Sequence, residues 1–183
     1  MKHILSLIAV LALMVSSPAL ASLGKGNSEV GVDLGMTQFD DNTFDNTGLT
    51  MGVRGGYHFT DLFELEGQIA STSADDQVGG IDVDLNARSL FVNGVFNFHP
   101  TQNIIPYVLV GLGSTDVEVD ISGLGKVDDS ATATQAGFGS RFFFGQNKKV
   151  GVRVEVSFLN EDTFDESSTH TNILGSLTWK LGA

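Results

Sequence analysis

The chain has 183 residues, with 22 Gly, 13 Phe, 3 Pro, no Cys and a formal net charge of −12. An acidic chain of this kind offers no basic face to phosphates, which excludes nucleic acid as a partner. The absence of cysteine excludes a disulfide framework, so an exported chain of this size needs a sizeable core, closed sheet hydrogen bonding or a lipid environment.

Export is indicated at the start. Lys2 and His3 form a short basic segment, Ile4 to Val15 an apolar run broken only by Ser6, and Ala19-Leu20-Ala21 a small-x-small cleavage site before Ser22. That run is too short to cross a bilayer as a helix, and no later window reaches the roughly 18 apolar residues a spanning helix needs. Residues 1–21 are therefore expected to be a cleaved signal peptide and residues 22–183 one domain without a linker.

The mature segment alternates with period 2, the signature of strands with one apolar and one polar face. Glu29 to Thr37 is the first predicted strand, and Phe39 to Gly48, full of Asp, Asn and Thr, the first long loop. Leu49 to Phe59 is the second strand, and Thr60-Asp61-Leu62 a tight turn into Phe63 to Ser71. Ser73 to Asp84 is a second acidic loop, and the strand from Leu85 to Phe98 is apolar on both faces, so its outward face is not assigned. A fifth strand starts near Ile105, its alternation continuing through Val117, Val119 and Ile121, with the loop tip at Gly123 to Ser130. Thr132 to Phe144 follows, then a short turn.

The clearest strand comes next. In Val150 to Phe158, large apolar residues occupy every even position and Gly, Arg, Glu or Ser every odd one. Leu159 to His170 is the fourth long loop and Thr171 to Leu181 the last strand.

Eight strands joined by alternating long and short connections predict an all-β fold, an eight-stranded antiparallel up-and-down transmembrane β-barrel. Strands of about 10 residues match a hydrocarbon core when tilted, and eight strands leave an interior that side chains just fill. Alternation alone does not say which face is inside, since a soluble barrel would bury the Val face. The polar face decides it, being mostly Gly, Ser, Thr, Asn and Gln, whereas a solvated face is dense in Lys and Glu. Aromatics at strand ends (Tyr57, Phe59, Phe63, Phe98, Tyr107, Phe142, Phe144, Phe158 and Trp179) fit the girdles of a bilayer-spanning barrel. Val150, Val152, Val154, Val156 and Phe158 are then expected to face lipid.

Residues 55–67, GGYHFTDLFELEG, resemble the second hairpin of the small outer-membrane β-barrel proteins, the superfamily of the OmpA transmembrane domain. Pro106-Tyr107-Val108 leading into Gly111-Leu112-Gly113 is similar to that superfamily's fifth strand. The resemblance implies a Gram-negative outer membrane, surrounding lipid and lipopolysaccharide, insertion by the barrel-assembly machinery, periplasmic termini and a monomer. Two departures stand out: the end at Trp179-Lys180-Leu181-Gly182-Ala183 lacks the usual terminal aromatic, and cell-wall anchoring is not implied.

Six ionisable residues fall on the polar face: Arg54, Glu64, Glu66, Arg141, Arg153 and Glu155. With Tyr57 opposite Phe63, Arg54 lies opposite Glu66; with Phe144 opposite Val150, Arg141 lies opposite Arg153. Two adjacent arginines repel unless carboxylates neutralise them, so the expectation is a lumen salt-bridge network that blocks free diffusion. The loops collect the acids, among them Asp40, Asp76, Asp84, Asp116, Glu118, Asp128 and Glu161, with Lys126 as their nearby cation. Hard divalent ions could bridge such loops, yet no loop has the spacing of a calcium motif. No metal, cofactor or catalytic residue is assigned. His170 with Ser167, Ser168, Asp165 and Glu166 holds the ingredients of acyl chemistry, but in one loop and without the H-x-S arrangement of lipid A deacylase barrels.

The expected role is structural or surface interaction through acidic loops, including contact with a host or cell-surface partner. A narrow channel or carrier for small solutes or apolar molecules is the alternative, and a lipid-modifying enzyme the remote one.

Overall fold

In the computed structural model the described residues are 24–40, 47–78, 81–98, 104–121, 125–144, 149–163 and 166–181. The expected signal peptide lies outside them. The strands are β1 (Ser28–Asp40), β2 (Thr47–His58), β3 (Phe63–Val78), β4 (Ile81–Asn97), β5 (Ile104–Ile121), β6 (Gly125–Phe144), β7 (Val150–Thr163) and β8 (Glu166–Leu181). Each pairs antiparallel with its chain neighbour, and β1 pairs with β8 from Ser28↔Leu181 to Asp40↔Thr169, which closes the barrel. Closure gives each strand two hydrogen-bonded neighbours, the requirement for backbone crossing a bilayer.

Three of the expected long loops are largely ladder. Pairing in β3–β4 continues to Val78↔Ile81, in β5–β6 to Ile121↔Gly125 and in β7–β8 to Thr163↔Glu166. The segments Ser73 to Asp84, Gly123 to Ser130 and Leu159 to His170, read as loops from their polarity, are thus mostly strand. Once both faces are polar the period-2 contrast vanishes, although the backbone goes on pairing. At the opposite end the connection from β2 to β3 is tight. Between β2 and β3 the Thr60 hydroxyl accepts the amides of Leu62 (3.2 Å) and Phe63 (2.9 Å), and Thr60 N donates to Phe63 O (3.2 Å). This turn sets Tyr57 opposite Leu65 and Arg54 opposite Gln68, a register two residues away from the expected Tyr57–Phe63 and Arg54–Glu66 pairings. Phe144↔Val150 and Arg141↔Arg153 are paired as expected.

The barrel is polar inside and apolar outside. The largest fully buried side chains are Arg141 and Arg153, both 0% exposed, whereas Leu112 and Val110 are 67% and 66% exposed. Val150, Val152, Val154 and Phe158 of β7 point outward and are exposed, with Val156 on the same face and half-buried. On β4, Leu90, Val92 and Phe96 face out while Phe91 and Val95 are buried. That settles the strand whose faces the alternation left open. Apolar residues girdle the barrel on every strand, far more contiguous apolar surface than a water-soluble protein exposes.

Candidate functional site: an ion-paired lumen

The lumen is built by odd-numbered residues of β4 to β7 and β1, and by even-numbered residues of β2, β3 and β8. Near the tight-turn end these faces converge on one ionic cluster. Arg54 Nε donates to Asp33 Oδ1 (2.7 Å), and its Nη1 reaches Glu155 Oε2 (3.1 Å) and Glu66 Oε1 (3.3 Å). Arg153 donates to Glu66 Oε2 through Nη1 and to Glu155 Oε2 through Nη2 (2.6 Å). Arg141 Nη2 lies 2.6 Å from Glu64 Oε2 and its Nη1 3.5 Å from Glu29 Oε2. The Arg141–Glu64 contact is an ion pair by distance, but its angles are not those of a directed hydrogen bond. All six residues expected in the lumen are in this cluster. Arg54 still meets Glu66 despite the shifted register, because Glu66 lies two residues from Gln68 on the same face of β3, a diagonal neighbour within reach of a long side chain.

Four participants were not anticipated. Asp33 and Glu29 both sit on β1, where they read as ordinary polar partners of an amphipathic strand. His58 Nε2 lies 3.7 Å from Glu64 Oε2. Tyr107, expected in the aromatic girdle, is instead 1% exposed in the lumen. Its hydroxyl accepts from Arg153 Nε (2.6 Å) and donates to Glu155 Oε2 (2.8 Å), and its ring centroid is 4.3 Å from the Arg153 and 5.1 Å from the Arg141 guanidinium carbon. The odd-numbered parity of Tyr107, shared with Ile105 and Leu109, was the available signal. Close packing here needs Gly139, since any side chain there would run into Tyr107 Oη and Val154 O.

Carboxylates of Glu29, Asp33, Glu64, Glu66 and Glu155 thus surround the guanidiniums of Arg54, Arg141 and Arg153. Amides continue the network toward the loop side: Gln68 Nε2 donates to Asp33 Oδ2 (3.1 Å), and Gln135 Nε2 to Asn93 Oδ1 (2.7 Å) and Gln68 Oε1 (3.3 Å). Apolar residues fill the remainder, with Val95, Tyr107 and Leu109 in one cluster and Ile105 with Phe143 in another. Buried charges persist only when paired and hydrogen-bonded, and here every guanidinium has at least two acidic neighbours. Such a cluster can hold the strands in register and obstruct the axis.

At the loop end the barrel wall is acidic. On the outer faces of β4, β5 and β6, Arg88 stands opposite Asp116, and Glu118 opposite Asp128. Lys126 Nζ pairs with Glu118 (2.6 Å) and Asp120 (3.5 Å), and this pairing holds the Glu118 carboxyl below its ordinary range and Lys126 above its own. Among the described residues no three His, Asp or Glu side chains are grouped as a metal site would need. His170 points into the lumen, its Nε2 3.1 Å from Glu161 Oε1 and its ring edge-on to Phe39 at 4.9 Å.

A closed eight-stranded antiparallel barrel with an apolar exterior and an ion-paired interior defines a β-barrel of the transmembrane class. The chain belongs to the outer membrane protein β-barrel domain family, whose model matches residues 7–180. A search of curated sequences finds no match. Among solved structures it is similar to neisserial surface protein A (12% identity, 85% of this chain and 99% of that one, TM-score 0.68). It is similar also to the N-terminal barrel of Pseudomonas aeruginosa OprF (14%, 85% and 99%, 0.58) and to Ail, the attachment invasion locus protein of Yersinia pestis (18%, 85% and 99%, 0.57). At these identities the likeness is one of fold.

Proposed function

We propose that this protein is a resident of the outer membrane, exported by a cleaved leader, inserted by the barrel-assembly machinery and monomeric, whose role is exerted by its acidic loop side while its lumen stays shut. The observation that carries this reading is the ionic cluster of Arg54, Arg141 and Arg153 with their carboxylates, all buried. A lumen filled in this way contributes stability and register but leaves no aqueous path, so function falls to the surfaces. The apolar exterior supports lipid and lipopolysaccharide as surroundings, and closure of the sheet, which removes edges for pairing with another chain, supports the monomer.

The acidic loop side restricts what it meets. Ail has been crystallised with the heparin analogue sucrose octasulfate, a polyanion; the aspartates and glutamates here would repel one, so the partner surface we expect is neutral or cationic. A channel would require the ionic cluster to separate. The acyl-transfer reading loses its geometry, since His170 faces the lumen and not the outer-leaflet lipid.

The test has two arms. Purified barrel reconstituted in planar bilayers should give no large steady openings, and an epitope inserted between Ile121 and Gly125 should be labelled on intact cells. Sustained conductance would overturn the closed lumen, and an epitope hidden until lysis would overturn the surface role.

A further inference from the structure

Above the ionic cluster, the loop-side half of the lumen encloses a cavity of about 30 Å3, room for one or two groups the size of water. On one side its wall is satisfied internally: Thr37 Oγ1 donates to Asn172 Oδ1 (2.7 Å) and shares a 2.6 Å contact with Thr50 Oγ1, which lies 2.9 Å from Thr72 Oγ1. The other side is not. Glu161, His170 and Thr115 are 5%, 6% and 2% exposed, and Glu161 Oε2, His170 Nδ1 and Thr115 Oγ1 have no protein partner.

The chemistry of these three atoms is specific. His170 Nε2 is engaged by Glu161 Oε1 at 3.1 Å, so a neutral ring donates there and keeps Nδ1 as a lone-pair acceptor. Glu161 Oε2 accepts only, and the Thr115 hydroxyl can accept. With the imidazole neutral and the carboxylate ionised the site offers three acceptors and one negative charge, and no Lys or Arg lines the cavity. Phe39 and Phe91 supply aromatic walls, which tolerate a cation over their faces. An anion is refused by Glu161, and a transition metal would find one imidazole and one carboxylate, fewer protein ligands than a stable site takes. A group with three N–H donors, one positive charge and the volume of a water molecule matches all of these features.

We propose that this vestibule binds the primary ammonium group of a small alkylamine entering from the loop side. Acidic residues around that end, Asp84, Asp116 and Asp128 among them, raise the local cation concentration. Below, Asp33 and Glu66 offset the guanidiniums that would otherwise oppose a cation. The site ends at the ionic cluster, so the amine is held and not passed through.

The experiment is NMR of the folded, isotope-labelled barrel in micelles, titrated with ethylammonium chloride against sodium chloride at matched ionic strength. Saturable shifts at the Thr115 and His170 amides and at the His170 Nδ1 resonance are expected, with at least a tenfold weaker response in Glu161→Gln and in Thr115→Val and an unchanged one in Glu118→Gln. Tetramethylammonium, equally charged but without N–H donors, should leave these resonances in place. Equal shifts with sodium or tetramethylammonium, or wild-type saturation in both vestibule variants, would overturn the proposal. Should Glu161→Gln fail to fold, as judged by gel mobility before and after boiling, Thr115→Val decides it.

Discussion

Arg141 and Arg153 stand directly opposite each other on β6 and β7, yet they turn to separate carboxylates, Arg141 to Glu64 and Glu29 and Arg153 to Glu66 and Glu155. Like charges face to face in an apolar shell would drive the two strands apart. Their divergence, with Tyr107 in reach of both guanidiniums, turns a repulsion into a tie across five strands, β1, β3, β5, β6 and β7.

Removing one partner from that tie should be costly. Glu66→Ala leaves Arg153 with one acid and Arg54 with two of its three, and breaking a buried pair in this way typically costs about 3–5 kcal/mol. Reversible folding into lipid vesicles measured by urea titration should show a loss of that size, while Glu118→Ala, on the exposed hairpin, should leave the midpoint almost unchanged.

Conductance should follow the same cluster. A Glu66→Ala/Arg153→Ala double variant removes one pair together with its bulk, and in planar bilayers it should open more often than the wild-type barrel. A silent double variant would mean that Arg54, Arg141 and their partners suffice to block the axis.

Val154→Lys places a charge on the outward face midway along β7. Near a bilayer midplane this costs about 2–4 kcal/mol, whereas the same charge near an interface costs about 0–1 kcal/mol; Asn160→Lys on the same face, toward the loop end, is the matched control. Equal effects of the two on vesicle folding would contradict a lipid-covered β7.

Gly139→Ala should destabilise by about 1–3 kcal/mol, the usual cost of overpacking. The added methyl meets Val154 O, which cannot yield, as well as Tyr107 Oη. Gly55→Ala is the contrast: its nearest neighbour would be Glu29 O at 3.9 Å, an ordinary contact, and an effect within about 0.5 kcal/mol is expected.

The exposed hairpin pair has a defined pH window. Glu118 has a lowered folded-state pKa, so its contribution is present above the ordinary carboxylate range and fades as pH falls through the lowered value. Lys126 has a raised one, so its contribution is full below the ordinary lysine range and is lost as pH rises through the raised value. In Lys126→Met the Glu118 carboxyl should titrate at higher pH by NMR, and high salt should shrink the difference.

The strands crossing the apolar belt were legible because each carries a contrast between faces, strongest in Val150 to Phe158. Arg141 opposite Arg153 could be read because only a few residues separate β6 from β7 and both are flanked by regular alternation. Arg54 opposite Glu66 could not be placed correctly, since the Thr60 hydroxyl sets the turn register through hydrogen bonds to Leu62 and Phe63 and no period-2 pattern encodes that. Tyr107 was misplaced for a related reason: an aromatic near a strand end suits either a girdle or a lumen, and only parity with Leu109 distinguishes them. The acids and small polar residues at the start of β6 hid that part of the strand, because polarity on both faces erases the signal that reveals pairing, whereas Val117, Val119 and Ile121 kept the far end of β5 legible.

Those extended ladders set a height. β6 runs 20 residues, a contour of roughly 65 Å at roughly 3.3 Å per residue, and the apolar band of a tilted barrel is roughly 25 Å tall. Much of the β5–β6 hairpin therefore stands clear of the bilayer as a stiff mast. Whatever meets its tip does so at a fixed standoff from the membrane surface, so a flexible insertion placed halfway up the hairpin would lower its reach without altering a single residue at the tip.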